Sequence, residues 1–174
     1  VDETMTGMGR TGRFLAIEHW DVEPDIIIMG KALGVYCPIA ATILSEKVAQ
    51  SFDHHLFGHG QSYSGHALAC SAALASLEIL HEDGLLDQSA HLGSRLGEQL
   101  RTLGQKHPSV GDVRGMGLFW TMELVANQTT KEPLRKATEK YQESIVKQAS
   151  DFLFRERQVY VPSDKFGLWI VPPL

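Results

Sequence analysis

The sequence predicts an α/β protein whose sheet is mostly parallel, and three observations support this. Residues 26–29 (IIIM) form a continuous apolar run between turn residues, which is typical of a strand buried on both faces. Two long helical patterns follow, at residues 66–81 and 85–103. The chain has 43% hydrophobic residues and a net charge of −5, an ordinary composition for a globular protein.

The elements before residue 104 follow in order. Residues 1–15, rich in Gly and Thr, predict the end of a strand and a loop, and residues 40–44 predict a second short strand after the apolar run. Residues 51–65 are a polar loop. Residues 66–81 are apolar nearly all round and predict a buried helix that stops at Asp83-Gly84. The next helix carries a leucine stripe and ends at Gly104 and Pro108: Leu85, Leu92, Leu96, Leu100 and Leu103.

The composition changes around residues 104–112, where we expect a smaller α+β unit to begin. Residues 113–125 predict one or two strands, and a polar loop covers 126–136. A third helix, at about 134–156, has four residues on one face: Tyr141, Ile145, Ala149 and Phe152. Residues 159–161 and 168–171 predict short closing strands.

Several classes of function are disfavoured. The acidic balance argues against non-specific nucleic-acid binding, and no apolar run approaches the roughly 20 residues that span a bilayer. Cys37 and Cys70 fit neither a metal spacing nor a disulfide framework, so we expect a reducing compartment, the cytoplasm. The chain opens on Val1 without Met and closes within an apolar run, so we expect it to be part of a longer protein.

Lys31 is the residue that suggests chemistry. It follows the predicted strand within residues 30–34 (GKALG), so its amine would lie at the carboxyl end of a sheet, where open α/β sheets bind ligands. A desolvated lysine loses its proton readily and becomes a nucleophile or Schiff-base former. An exposed loop lysine is the ordinary alternative, and burial statistics favour it for a lysine taken alone.

Several motifs in order resemble those of the class III (ω-type) aminotransferases, which depend on pyridoxal 5′-phosphate (PLP). They are residues 2–12 (DETMTGMGRTG), Glu18-His19, Pro24-Asp25, Lys31 at 29 residues after Asp2, 59–66 (HGQSYSGH), 113–118 (VRGMGL) and the final proline pair. The resemblance covers the whole chain and implies the α/β fold called fold-type I. It implies that residues 1–108 are the second half of the large PLP-binding domain and that 109–174 are an incomplete small carboxy-terminal domain.

The resemblance also implies roles at five positions. Lys31 would be catalytic, holding PLP as a Schiff base and then acting as general acid and base. Asp2 would pair with the pyridine nitrogen, and Thr4 would pack against the ring face with its methyl group. Ser62 would donate to the PLP phosphate from the neighbouring subunit, and Gln61 would line the phosphate or substrate pocket. A homodimer or higher oligomer with its sites at the interface follows.

The reaction implied is transfer of an amino group from an amino acid or amine to a 2-oxo acid. Two alternatives stay open: another PLP reaction on the same fold, such as that of a racemase, mutase or decarboxylase, and a non-catalytic partner protein that kept the fold. The Gly7–Gly12 stretch satisfies G-x-G-x-x-G, but no helix cap follows it, which disfavours a dinucleotide site. Three histidines, His54, His55 and His59, are interpreted as loop residues, so no metal is expected.

The sequence also departs from the family pattern. Many members place an Arg before the proline pair to hold the substrate carboxylate, whereas residues 161–170 contain none, and Lys165 offers only a point charge. The family's amino-terminal half is missing, so we expect the 174 residues alone to be inactive. Arg114 is interpreted as half of a structural ion pair beside a strand. Three aromatic residues are expected in the core: Trp120, Tyr141 and Trp169.

Overall fold

The computed structural model describes residues 1–134, 140 and 144–174. These residues form two compact units, Val1–Ser89 and Ala90–Leu174. The described strands are β1 (Ile26–Met29), β2 (Ala41–Leu44), β3 (Val110–Met116), β4 (Phe119–Asn127), β5 (Glu132–Pro133) and β6 (Gly167–Ile170). The described α-helices are α1 (Glu46–Ala49), α2 (Ala67–Glu82), α3 (Leu85–Lys106) and α4 (Ile145–Arg157). Short 3₁₀ helices lie at Ala16–Trp20, Lys31–Leu33 and Gln50–Phe52.

In the first unit, β1 and β2 pair antiparallel, with Ile26 opposite Leu44. The prediction of a mostly parallel sheet is therefore wrong for these strands, and the fold is α/β with mixed pairing. The reason is the short connection of residues 30–40, because a parallel return needs a crossover of a dozen or more residues, usually with a helix. Parallel pairing in this unit is limited, within the described residues, to a bridge between Asp2 and Ile28.

Burial in the first unit is lower than the sequence predicts. Ile26 and Ile28 of β1 are each 40% exposed, so the expectation that this strand is buried on both faces is wrong within this chain. Helix α2 is also largely uncovered, with Leu68 67% exposed, and its buried residues are confined to a narrow strip: Ala69, Ala73 and Leu80. The described part of the unit packs the 3₁₀ helix Lys31–Leu33 against α2, too little to cover a helix that is apolar on all sides.

The helix boundaries follow the sequence signals closely. Helix α2 ends at Glu82 with Asp83 as its C-cap, and Gly84 has a φ of 65°, the left-handed conformation that glycine adopts after a helix. Helix α3 continues two residues past the predicted stop at Gly104. Its buried face includes Leu100 and two glycines, Gly93 and Gly97, rather than the whole leucine stripe, because Leu103 is 42% exposed.

The second unit contains an antiparallel sheet. Residues 113–125 form two strands, β3 and β4, joined by a turn at Gly117-Leu118, and β6 pairs with the other edge of β4. Short strand β5 pairs with the end of β4. The core cluster of this unit is Leu100, Val110, Trp120 and Met122, packed by Leu96, Val113, Leu124 and Ile170. The core position predicted for Trp120 is confirmed.

Two predictions in the second unit need correction. Residues 159–161 form no strand, because their backbone is bonded to α4: Ser150 Oγ donates to Val161 O at 2.6 Å, and Val159 N donates to Leu153 O at 3.1 Å. The predicted third helix corresponds to α4, which is capped by Ser144. It buries Val146 and Ser150 rather than the predicted face of Ile145, Ala149 and Phe152. Tyr141, which was assigned to that face and to the core, lies outside the described residues. Among the helices that the structure describes, none has the length and apolarity to cross a membrane.

Candidate active site

Lys31 directly follows the end of β1, as the sequence predicts. Gly30 is extended, and Lys31 then opens a 3₁₀ turn closed by Leu33 N donating to Gly30 O at 3.0 Å. Lys31 has a φ of 46°, in the left-handed region that a non-glycine residue rarely adopts. Helix α2 supports this turn through Ser76 Oγ, which donates to Ala32 O at 3.0 Å. The side chain of Lys31 is exposed in this chain.

Asp2 lies beside the same strand end. Glu3 N donates to Ile28 O at 2.8 Å and Ile28 N donates to Val1 O at 2.9 Å, which sets the first residues alongside β1. Thr4 N then donates to Asp2 Oδ1 at 2.9 Å. Lys31 Nζ lies 3.5 Å from Thr4 Oγ1. Thr4 is thus the link between a carboxylate and an amine that are 29 residues apart in the sequence.

The electrostatics of this cluster favour an ionised Asp2. Hydrogen bonding by the Thr4 hydroxyl, followed by that of the Thr4 N–H, lowers the pKa of Asp2 below its ordinary value of 3.8, and the positive charge of Lys31 adds to the effect. The pKa shift is in the direction needed by a carboxylate that pairs with a protonated ring nitrogen.

The methyl group of Thr4 faces the backbone of Gly30. A Cβ placed on Gly30 would lie 3.5 Å from Thr4 Cγ2 and 3.8 Å from Ile39 O, an ordinary contact distance. The Thr4 side chain therefore has two sides, with a hydroxyl between Asp2 and Lys31 and a methyl toward Gly30. The role of this methyl group against a cofactor ring stays a prediction.

Glu3 lies between Asp2 and Thr4, and the sequence predicts no role for it. It is 2% exposed, whereas its neighbour Asp2 is exposed. Its Oε1 accepts from Ile17 N at 2.9 Å, and its Oε2 accepts a short hydrogen bond from Thr6 Oγ1. The sequence offers one signal for the burial of Glu3. Successive side chains of an extended segment point to opposite faces, so Glu3 and Asp2 are expected on opposite sides.

Gln61 and Ser62 lie in an exposed loop that precedes α2. Gln61 O accepts from Ser64 N at 3.0 Å, and Ser62 sits in the same turn. Of the hydrogen bonds described in this structure, none joins either residue to Asp2, Thr4 or Lys31. Hydrogen bonds of the described residues therefore connect three of the five predicted site residues, and Gln61 and Ser62 are not among them.

The residues set aside in the sequence also have defined environments. Arg114 pairs with Asp112 at 2.7 Å and with Glu123 at 2.9 Å, which confirms the structural ion pair and raises the pKa of Arg114, chiefly through Glu123. Lys165 Nζ lies 4.7 Å from the centroid of the Phe166 ring. Trp169 is half-buried, with Nε1 donating to Asp164 Oδ2 at 3.1 Å.

Two other motifs have structures that bear on their interpretation. The Gly7–Gly12 stretch is a series of turns followed by the 3₁₀ helix Ala16–Trp20, not by the α-helix that a dinucleotide site needs. The three loop histidines are exposed and not helical. No group of three or more His, Cys, Asp or Glu residues suited to a metal was found in the described part of the chain.

Comparison with known proteins agrees with this geometry. The family model described as aminotransferase class-III matches residues 1–153. The chain belongs to the class III aminotransferases. Its fold is that of their fold-type I members, because it superposes on a taurine:2-oxoglutarate aminotransferase from Bifidobacterium kashiwanohense, solved with PLP and glutamate, with a TM-score of 0.92. That match is 29% identical and covers 99% of this chain and 38% of the other.

Curated relatives within the class III aminotransferases include two kinds of enzyme. A taurine–pyruvate aminotransferase from Bilophila wadsworthia is 38% identical over 156 residues, covering 86% of this chain and 34% of the relative. An adenosylmethionine-8-amino-7-oxononanoate aminotransferase from Anoxybacillus flavithermus is 42% identical over 139 residues, covering 76% of this chain and 30% of the relative. The chain thus spans about a third of the length of the curated relatives it matches.

The residues at the end of β1 fit PLP, the cofactor of class III aminotransferases. A carboxylate with a lowered pKa suits a ring nitrogen that must stay protonated, and a primary amine suits the cofactor's aldehyde. Both groups are held by one threonine, so they occupy the same side of the strand end. This chain therefore supplies an acidic group and an amine of the kinds that PLP requires.

Proposed function

We propose that the protein is a PLP-dependent aminotransferase that moves an amino group from an amino acid or amine to a 2-oxo acid. The observation that carries this proposal is the Lys31–Thr4–Asp2 arrangement at the end of β1, in a chain that belongs to class III. Residues 1–108 belong to the large cofactor-binding domain in this proposal, and 109–174 to an incomplete small domain. The protein acts in the cytoplasm.

Each residue of the cluster has a defined task. When bound, PLP supplies an aldehyde that reacts with amines and a ring that withdraws electrons from the substrate carbon. Lys31 would hold the cofactor through Nζ, and the same amine, when free, would take and return the substrate proton. Asp2 keeps the ring nitrogen protonated as a fixed anion. Thr4 orients both groups through its N–H and hydroxyl.

Ser62 acts in the proposal from a second subunit, by donating its hydroxyl to the cofactor phosphate, with Gln61 beside it. Its exposed position, which leaves the hydroxyl accessible to another subunit, supports this role. The same loop exposes large apolar side chains, with Leu56 95% and Tyr63 82% exposed, which a soluble monomer rarely leaves uncovered as a group. The assembly is therefore a homodimer or higher oligomer with its sites at the interface.

Covalent trapping tests the cofactor and Lys31 together. The full-length protein that contains this sequence is incubated with PLP, reduced with borohydride, digested and mapped by mass spectrometry. We expect the pyridoxyl group on Lys31 and its loss in a Lys31→Ala variant. Lys47→Ala is the matched control, because Lys47 is an exposed lysine paired with Asp25 at 3.3 Å, and it should keep the adduct. An adduct absent or spread over surface lysines would refute the proposal.

A second assay identifies the reaction. The full-length protein is supplied with PLP, a panel of amino donors that includes taurine and ω-amino acids, and pyruvate or 2-oxoglutarate. Transamination consumes the 2-oxo acid and forms the matching amino acid in equal amounts. Product formed from the donor without consumption of the 2-oxo acid would replace this proposal with a racemase, mutase or decarboxylase. No turnover despite a Lys31 adduct would favour a non-catalytic partner protein.

A further inference from the structure

Glu3 is a buried charged residue that the proposed mechanism does not use. It is 2% exposed, and buried carboxylates are rare unless they are paired or hydrogen-bonded. It stands between Asp2 and Thr4, the two residues that contact each other at the strand end. Its position in the chain therefore places a buried anchor between two residues of the proposed site.

The contacts of Glu3 join that segment to two other parts of the first unit. Its backbone N–H donates to Ile28 O at 2.8 Å, and its carbonyl accepts from Gly7 N at 2.9 Å. Its carboxylate accepts from Ile17 N at 2.9 Å, 14 residues away, and from the Thr6 hydroxyl. Both backbone groups and both carboxylate oxygens of Glu3 are thus occupied.

We propose that Glu3 is a positioning residue that fixes Asp2 and Thr4 in register with Lys31. The physical reason is that backbone hydrogen bonds with Ile28 set Val1 and Glu3 alongside β1, and the Glu3 carboxylate adds the side-chain bonds that hold the following turn. Asp2 is exposed, its carboxylate accepts from the hydroxyl and the N–H of Thr4, and the Lys31 amine lies 3.5 Å from Thr4 Oγ1. The two hydrogen bonds of the Glu3 carboxylate, here called the Glu3 clamp, are made by a buried side chain and tie this segment to Thr6 and to the 3₁₀ helix Ala16–Trp20.

A close approach of the backbone supports the clamp. A Cβ on Gly7 would lie 2.8 Å from Glu3 O and 3.2 Å from Glu3 Cβ, so the glycine permits the turn to fold back onto Glu3. The turn that follows the site is packed tightly against its anchor. Loss of the Glu3 side chain should therefore loosen residues 2–4 together, rather than a single side chain.

The inference rests on the proposed function, and its test is a Glu3→Gln variant of the full-length holoenzyme. Glutamine keeps the shape and one oxygen for Ile17 N, but it loses the charge and the second acceptor for Thr6. We expect the dissociation constant of PLP to rise on the order of tenfold. We also expect the pH at which the bound cofactor's visible absorption band changes to rise, because a displaced Asp2 leaves the ring nitrogen less positive.

Glu46→Gln is the matched control. Glu46 Oε1 accepts a hydrogen bond as well, from Gln50 Nε2 at 3.1 Å, but Glu46 is exposed and lies on α1, away from the clamp residues in the chain. It should leave both PLP affinity and the absorption band unchanged. If Glu3→Gln does not fold, Thr6→Val removes one of the two clamp donors without altering the carboxylate and should give a smaller change in the same direction.

Each outcome decides the inference. A wild-type-like PLP affinity and band in Glu3→Gln or Thr6→Val, with only a lower melting temperature, would show that Glu3 is purely structural. Equal effects of Glu3→Gln and Glu46→Gln would also overturn the positioning role. Failure of the proposed function is recognised separately, because the wild-type protein would then lack the reduced adduct on Lys31, and the inference would fall with it.

Discussion

Helix α3 packs against β4 at Gly97, which faces Trp120. Replacement of Gly97 by alanine tests how closely the helix and the strand are packed. A Cβ at this position would lie 2.3 Å from Cζ2 and 2.4 Å from Cη2 of Trp120. Carbon atoms pack at about 3.5–4.0 Å, so the ring or the helix must move by about 1 Å or more. Trp120 is 4% exposed and its Nε1 donates to Gly117 O at 2.7 Å, so the ring has little freedom to move.

The size of the effect follows from two opposing contributions. Alanine gains about 1 kcal/mol over glycine in helix propensity. Overpacking of a rigid core costs about 1–3 kcal/mol, and the short distances to Trp120 place this substitution at the upper end. We therefore expect Gly97→Ala to lower the local opening free energy of α3 by about 2 kcal/mol. Hydrogen exchange of α3 peptides in the full-length protein, followed by mass spectrometry, measures this quantity.

Two controls separate packing from helix propensity. Ser94→Ala, on the exposed side of α3, raises helix propensity without a clash and should stabilise the helix slightly. Trp120→Phe removes Cζ2 and Cη2, the atoms that conflict with the new methyl group. The destabilisation of the double variant should therefore be at least about 1 kcal/mol smaller than the sum of the destabilisations of the two single variants. Stabilisation of α3 by Gly97→Ala, or strict additivity in the double variant, would refute the reasoning.

Three further predictions concern the proposed site and the second sheet. Asp2→Asn should reduce transamination on the order of a hundredfold or more, since it removes the anion proposed to face the ring nitrogen. Because the pKa of Asp2 is lowered, the midpoint of its titration in the wild-type protein should lie below 3.8, and kcat against pH checks both. Ser62→Ala should weaken PLP binding about tenfold and leave trapping at Lys31 intact, as equilibrium dialysis would show. Arg114→Met should cost at most about 1 kcal/mol by thermal unfolding, because Asp112 and Glu123 pair with it at an exposed position.

Local signals in the sequence predicted local structure well. The apolar run at 26–29 is β1, the Asp83-Gly84 stop ends α2, and residues 113–125 contain parts of β3 and β4. These features depend on chain-local causes: β-branched side chains, a glycine in the left-handed conformation and a tight turn. The first residues of the chain pair with β1 through the bridge between Asp2 and Ile28. This pairing places Asp2 and Thr4 near the end of β1, although Lys31 follows Asp2 by 29 residues in the sequence.

Burial was predicted less well, because it depends on what lies beside an element. Helix α2 has the composition of a buried helix, yet Leu68 and Ile79 are more than half exposed in this chain. The hydrophobic residues of α4 predict one buried face, whereas the structure buries Ser150, whose hydroxyl donates to Val161 O. No periodicity rule finds a buried serine whose partner lies 11 residues away.

The residues of the proposed site are positioned in two different ways. The groups proposed to contact the reacting end and the ring nitrogen of PLP, Lys31 and Asp2, are fixed relative to each other by one threonine and one strand end. Their spacing is therefore set when β1 forms. The proposed phosphate donor, Ser62, sits on an exposed loop whose position depends on a second subunit in this proposal. Disruption of the oligomer should consequently weaken PLP binding before it changes the pairing of Asp2 and Lys31, and Ser62→Ala should reproduce that loss without dissociation of the subunits.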